Sequence, residues 1–326
     1  MQVMRVLISG ISGQDGSYLR DILRSRSAEV YGIRSVQKDS FTFVCSEQYL
    51  DPKTEMYNPM NLEEVSKPIF AKVLDKLEPD YIFHLATVHN SSQDSNDLDI
   101  SRKRQVDLVN IEMTKQFIKW VEKHPNSRLF ISLSSKMYTP IKNSITKINE
   151  ISRRCPQNYY ALSKLISWDM ATKSRAEFGT KISSGILFNH TSPRSKTEFI
   201  FPILAQKINA FLELNLPRLE INNFDSLIDL THAKEVTDCI LEVAEKFPCA
   251  DFVIGSGNLV SIKDIVRSTL TEMNLGNFPL LKSIGNNENV GYLVSDITKA
   301  TELLGWKPAL SPEKILLEMI QALNKN

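Results

Sequence analysis

The chain has 326 residues, 42% of them hydrophobic and 24% charged, with a formal net charge of +1. That balance predicts a folded globular protein with one large domain or two unequal ones. It excludes a strongly basic nucleic-acid binder and a protein held by charge to an anionic membrane. No apolar run approaches the roughly 20 residues of a spanning helix, and the first strand begins too early to leave room for a signal peptide. The cysteines at 45, 155, 239 and 249 show no CxxC pairing or zinc-ligand spacing, and the five histidines are scattered. Reduced thiols in a cytoplasmic protein without a metal site are expected.

An apolar run over residues 3–8 ends at Ser9, and glycines follow at 10, 13 and 16. A helical pattern then starts with Tyr18, Leu19, Ile22 and Leu23. The order strand, glycine turn, helix points a helix N-terminus at an anion. Gly10 would let the chain turn, Gly13 would let backbone approach a pyrophosphate, and Gly16 would let the helix pack close to the strand. The spacing GxxGxxG differs from GxGxxG, but its place favours a dinucleotide site.

A second strand is expected over 29–33, followed by Arg34 and Ser35. NAD sites usually carry an acidic residue at this strand end. A cation with a hydroxyl suits a ribose 2′-phosphate, so Arg34 points to NADP, with NAD left open; the other reading of Arg34 is a surface loop charge. A short strand is expected at 56–57 and a helix over 62–77. A strand at 81–86 ends in Ala86, small enough for a cofactor to lie against the backbone. A long helix is expected over 99–123, with Arg102-Lys103-Arg104 as a solvated face. The strand at 128–133 delivers residues 132–138, SLSSKMY, to the sheet edge where open α/β sheets bind ligands.

Asn158 opens a helix running to about residue 178. Tyr160 and Lys164 stand four apart and share one face. An ammonium beside the phenol is expected to lower its pKa toward useful acid/base range. Farther on, strands are expected at 182–188, 218–221 and 251–254. Helices are expected at 199–214, 231–245, 261–273, 296–304 and 312–324. The alternation defines an α/β fold, a Rossmann-like doubly wound parallel sheet with a smaller C-terminal substrate lobe. Residues 1–189 form the dinucleotide-binding domain in this reading. Residues 190–326 are mainly the substrate-binding lobe, with some segments returning to the sheet.

The stretches GISGQDGSYL (10–19), SLSSKMY (132–138), YALSK (160–164), GILFNHTSPR (185–194), DLTHAKEV (229–236) and DITKATELLGWKP (296–308) span nearly the whole chain. With them the sequence resembles the extended short-chain dehydrogenases/reductases of the NAD-dependent epimerase/dehydratase type, and among these the GDP-mannose 4,6-dehydratase branch. The resemblance implies roles. Gly10, Gly13, Gln14, Asp15 and Gly16 would hold the cofactor pyrophosphate, and Leu85 and Ala86 would line its adenosine side. Tyr160 would be the acid/base at a sugar hydroxyl on carbon 4, Ser134 would bond the same hydroxyl, and Lys164 would hold the nicotinamide ribose. Asn189 would contact substrate and His190 the cofactor. Relatives form dimers and tetramers, so a homo-oligomer is implied.

The departures bear on the reaction. Where the dehydratases have a glutamate that takes the carbon-5 proton, this chain has Lys136. Lysine there is similar to nucleotide-sugar 2-epimerases. Basic positions of the branch appear here as Pro202, Ile203 and Ile228, and its Arg-Pro-x-Glu segment falls near 286–289. Asn58 or Pro59 stands where the branch has an aspartate beside the adenine. Arg194, Lys196, Lys207 and Arg218 are the cations available to a substrate phosphate. The expected activity is a nucleotide-sugar oxidoreductase, with Ser134, Tyr160, Lys164 and Lys136 at the reacting carbon and Asn189 and Arg194 on the substrate. A 4,6-dehydratase with a substituted base, an epimerase and a non-catalytic dinucleotide sensor are the alternatives.

Overall fold

The structure is a computed structural model that describes residues 3–37, 39–45, 59–89, 99–214, 219–222, 224–275, 281–284 and 290–324. The first half runs β1 (Arg5–Ser9), α1 (Gln14–Ser25), β2 (Glu29–Gln37), β3 (Ser40–Cys45), β4 (Met60–Asn61), α2 (Pro68–Leu77) and β5 (Tyr81–His84). Then come α3 (Ile100–Val106), a π turn (Asp107–Glu112), α4 (Met113–Lys123), β6 (Arg128–Ser134), β7 (Ile145–Ile148) and α5 (Tyr159–Phe178). The second half holds β8 (Ile182–Leu187), β9 (Asn189–Thr191), α6 (Ile200–Glu213), β10 (Leu219–Asn222), β11 (Leu227–Ile228), β12 (Leu230–His232) and α7 (Ala233–Lys246). It closes with β13 (Asp251–Ile254), β14 (Val260–Ser261), α8 (Ile262–Glu272), β15 (Leu281–Ile284), β16 (Tyr292–Ser295), α9 (Thr298–Leu304) and α10 (Pro312–Leu323).

One eight-stranded sheet has the order β13-β8-β6-β5-β1-β2-β3-β4. Strands β2, β1, β5 and β6 run parallel, with Ser9 beside Ile33 and beside His84. Their centres are unbroken apolar runs: Val6, Leu7 and Ile8, then Ile82 and Phe83, then Leu129, Phe130 and Ile131, all fully buried. Parallel strands covered on both faces require this, because neither face meets water.

The edge beyond β2 departs from the expected parallel sheet. β2 continues to Gln37 and folds back as β3, antiparallel, with Arg34 opposite Thr42; β4 is antiparallel to β3. Arg34, expected in a loop after the strand, lies within it. The polar run after Ile33 reads as a loop in sequence. Here Ser35, Val36 and Gln37 are exposed at the tip of an edge hairpin, where polar residues also protect an open edge. Phe41 and Phe43 of β3 reach Phe70 of α2, which packs on Phe117 of α4. The expected strand at 56–57 lies outside the described residues.

The chain divides into two compact units. One is Met1–Tyr138, Arg153–Ile186 and Thr237–Phe252, and the other is Thr139–Ser152, Leu187–Val236 and Val253–Asn326. The two units interleave along the chain. The second unit has its own core, in which Phe201, Leu204 and Ile208 of α6, Ile265 and Val266 of α8, and Leu316 and Ile320 of α10 are buried. The positions that the resemblance would make basic are apolar, and two of them support this core: Pro202 is buried in α6, and Ile228 packs against the cluster. Asp229, 1% exposed, ties the unit's loops together. Its carboxylate accepts from the amides and hydroxyls of both Ser256 and Ser295, at 2.6–2.8 Å. A buried charge is tolerated when its oxygens are this fully hydrogen-bonded.

α1 packs closely on the turn before it. A Cβ on Gly16 would strike the carbonyl of Gly10 and the Cα of Ile11, both backbone atoms that cannot swing aside. Overpacking of this kind costs about 1–3 kcal/mol. Gly16→Ala should lower the urea midpoint by a corresponding amount without changing the slope of the transition.

Candidate active site

The glycine turn is built from backbone. Gly10 takes φ +78°, which glycine alone adopts at no steric cost. Its amide donates to Ile33 O at 2.8 Å, and a Cβ there would lie 2.9 Å from the Ala86 nitrogen. The turn is therefore held by β2 on one side and the end of β5 on the other. Gly13 is exposed and is the N-cap of α1, and no side chain caps the helix. Gly13 itself, having no side chain, supplies no capping oxygen to that first turn. A helix start behind an exposed glycine is the kind of place that suits a phosphate oxygen. Gln14 and Asp15 bond to each other in the first turn, through Gln14 Nε2 and Asp15 Oδ1 at 3.2 Å.

Behind the turn a buried polar line crosses the sheet. Ser9 Oγ lies 2.6 Å from His84 Nδ1 and accepts from Ala86 N at 3.2 Å. Ser132 Oγ donates to His84 O at 3.0 Å, and Lys164 Nζ donates to Ser132 O at 2.8 Å. Ser9, His84, Ser132 and Lys164 are all buried. Burial, aided by the nearby Lys164, draws the His84 imidazole down to about 3, so the ring stays neutral. Burial alone draws the Lys164 amine down to about 7.

Ser134 ends β6 and caps the single 3₁₀ turn after it, accepting from Lys136 N at 3.2 Å. Tyr160 and Lys164 come from the first turn and a half of α5, which Asn158 caps by accepting from Ala161 N at 2.8 Å. The hydroxyls of Ser134 and Thr87 lie near enough to the Tyr160 phenol to pull its pKa down. Thus Ser134, Tyr160 and Lys164, separated in sequence, meet in one unit. One expectation is corrected. The Tyr160 pKa is raised, because burial outweighs the two hydroxyl contacts that would lower it. Lys164 Nζ sits 6.0 Å from the centre of the Tyr160 ring and is committed to a carbonyl instead.

Thr87 and Asn110 were not legible as site residues. Asn110 is 1% exposed inside the π turn. Its Oδ1 accepts from Val88 N at 2.9 Å, and its Nδ2 donates to Val88 O at 3.2 Å and to Ser163 Oγ at 3.0 Å. The only signal in sequence is an amide between the apolar positions 109 and 113. Small residues let α5 approach closely: Ala161, Ser163, Ser167 and Ala171 are buried on it. Ser163 Oγ donates to Tyr160 O at 2.7 Å, and Ser167 Oγ to Asn110 O at 2.8 Å.

Lys136 is exposed on the 3₁₀ turn, and among the described residues it makes no ion pair. Leu85 and Ala86 are half-buried directly after β5, and Arg34 is half-buried in β2. Asn189, His190 and Arg194 lie in the second unit. Asn189 is exposed at the start of β9, with Nδ2 donating to Asp229 O at 3.4 Å; His190 Nδ1 is 2.8 Å from Phe188 O; Arg194 is exposed. Asn58, Arg218 and residues 286–289 lie outside the described residues.

The open sheet, the glycine turn and the Ser–Tyr–Lys cluster together define an extended short-chain dehydrogenase/reductase. Comparison with known proteins narrows this. The family model described as GDP-mannose 4,6 dehydratase matches residues 7–319, and the chain belongs to that family of enzymes. A GDP-mannose 4,6 dehydratase of Drosophila melanogaster is 24% identical over 340 residues, covering 97% of this chain and 85% of the relative. Among solved structures, dTDP-glucose 4,6-dehydratase from Bacillus anthracis in complex with NAD has a TM-score of 0.77 at 15% identity, covering 99% of this chain and 97% of the other. RMD from Pseudomonas aeruginosa complexed with NADPH has a TM-score of 0.74 at 17% identity, covering 99% of both. These two likenesses speak to the fold.

The Lys164 shift has a consequence for stability. In the unfolded chain the amine holds its proton up to about pH 10.5, but in the folded one only up to about 7. Between these values the unfolded chain binds the extra proton, so stability contributed at this site rises with pH across that window. Urea unfolding of wild type and Lys164→Met at pH 7 to 9 should show the wild type gaining stability relative to the variant. Parallel curves would contradict the assignment.

Proposed function

We propose that this chain transfers hydride between NADP(H) and carbon 4 of a nucleotide sugar, without eliminating water. The observation that carries the reading is the meeting of Ser134, Tyr160 and Lys164 in one unit, with Lys136 two residues past Ser134. A nicotinamide dinucleotide fits the residues present: the uncapped start of α1, the exposed Gly13 and the close approach of Gly10 to Ala86 leave backbone facing a phosphate. Arg34 at β2 favours the 2′-phosphate form, and the RMD structure holds NADPH. Bound there, the reduced cofactor supplies the hydride.

The chain's own residues do the rest. Ser134 and Tyr160 hold the oxygen of carbon 4 between two hydroxyls. In the reducing direction Tyr160 gives its proton to that oxygen as charge develops on it. A phenol whose pKa burial has raised is still protonated at neutral pH, and so is loaded for this direction. Lys164 would bind the ribose through an amine already fixed by the Ser132 carbonyl. Water elimination needs a carboxylate-like base at carbon 5, and position 136 carries a lysine instead.

The test is mass spectrometry of a nucleotide-sugar panel incubated with NADP or NADPH. A change of two hydrogens tied to cofactor is expected, and Tyr160→Phe should reduce it by about a hundredfold or more while cofactor binding persists. Loss of one water would make the chain a 4,6-dehydratase with a different base. An unchanged mass with an inverted carbon 4 would make it an epimerase.

A further inference from the structure

The β2–β3 hairpin carries two opposite charges that bear on the cofactor. Arg34 lies in β2, and Asp39 at the tip is the one acidic residue between positions 34 and 45. A carboxylate just past strand two is the group that takes the ribose hydroxyls of NAD. The same carboxylate repels the extra phosphate of NADP. The hairpin therefore holds a residue suited to each cofactor, and what restrains Asp39 bears on which one is favoured.

Asp39 is restrained by α3. Its Oδ1 accepts from Gln105 Nε2 at 2.8 Å, and its carbonyl accepts from Leu62 N at 2.9 Å. Side chain and main chain are both fixed, although the residue is exposed. Gln105 is only 3% exposed. Its Oε1 accepts from Arg102 Nη1 at 3.2 Å, and Arg102 Nη2 donates to His89 O at 2.9 Å. The His89 ring in turn packs on the Tyr160 ring, with centroids 4.8 Å apart. A guanidinium only donates and a carboxylate only accepts. The Gln105 amide thus has one orientation that serves both neighbours, oxygen to Arg102 and nitrogen to Asp39. Glutamate at this position would have no donor for Asp39, and methionine would serve neither partner.

We propose that Gln105 is a specificity-determining residue for the cofactor. By holding the Asp39 carboxylate on α3, it keeps that charge off the ribose and leaves Arg34 to favour the 2′-phosphate. The proposal rests on the cofactor reading given above and adds to it, because the discrimination depends on a buried amide outside the hairpin. Without that donor the Asp39 carboxylate turns into solvent, where it repels a 2′-phosphate and can accept from ribose hydroxyls instead.

The experiment measures Kd for NADPH and for NADH from nicotinamide fluorescence on the full chain, with no sugar present. The proteins are wild type, Gln105→Met, Gln105→Glu, Asp39→Asn, Gln105→Met with Asp39→Asn, and Arg34→Ala. Gln105→Met adds no charge and should weaken NADPH about tenfold relative to NADH, as one freed carboxylate acts on a phosphate. Gln105→Glu keeps the Arg102 bond and should act in the same direction. Asp39→Asn alone should leave the ratio of the two constants nearly unmoved, and added to Gln105→Met it should restore that ratio. The Gln105→Met effect should fade in about 1 M salt, where charges are screened within about 3 Å. An equal loss of both cofactors, or an unmoved ratio in the Gln105 variants, overturns the proposal. A ratio that Asp39→Asn fails to restore overturns it too, because Asp39 would not be the charge at work. If Arg34→Ala moves the ratio while the Gln105 variants do not, this proposal falls alone. If wild type prefers NADH and Arg34→Ala changes nothing, the NADP reading falls and takes this proposal with it.

Discussion

Backbone lies against backbone where β1 ends, and the rest of the first unit is arranged around that contact. Gly10 touches the Ala86 amide on one side and Gly16 on the other, with no room for a methyl group at either glycine. This closeness lets α1 start directly after the turn that ends β1. It also sets where β5 must stop, and so where the 85–89 segment leaves the sheet toward Tyr160. The glycine turn and the Tyr160 phenol are thus spaced by main-chain geometry, which side-chain substitution elsewhere would disturb little.

Electrostatics under the site follow from the same compactness. Burial is severe enough to hold His84 neutral and to bring Lys164 near neutrality, and it overcomes two hydroxyl contacts at Tyr160. The polar groups survive there because each is hydrogen-bonded in a line from Ser9 through His84 and Ser132 to Lys164. Such a line links the glycine turn to α5. The phenol is governed by neighbouring hydroxyls more than by a cation.

Much of this was legible in the chain. The strands of the parallel centre are continuous apolar runs, and the helix over 159–178 announces itself through Asn158 and its length, so their positions follow from local pattern. Tyr160 and Lys164 could be grouped by their four-residue spacing on one helix face, and Ser134 by the resemblance. The β2–β3 hairpin was missed because its tip is polar and its partner strand gains meaning only from Phe70 and Phe117 far along the chain. The π turn within the helix expected over 99–123 leaves no mark in composition, and Asn110 with it. The sign of the Tyr160 shift was misjudged because spacing reports a neighbouring ammonium, whereas burial is a property of the whole unit.

The buried side of α5 is lined by alanines and serines, and two of its serines hand their hydroxyl hydrogens to main-chain carbonyls. Long aliphatic side chains can change rotamer and absorb a shift between helix and sheet; methyls and tethered hydroxyls cannot. The spacing between α5 and its neighbours therefore behaves as a rigid gauge rather than a cushion. Drift in the surrounding sequence can reshape the periphery freely, but any added bulk along that face would carry the phenol and the amine out of register together, as one piece.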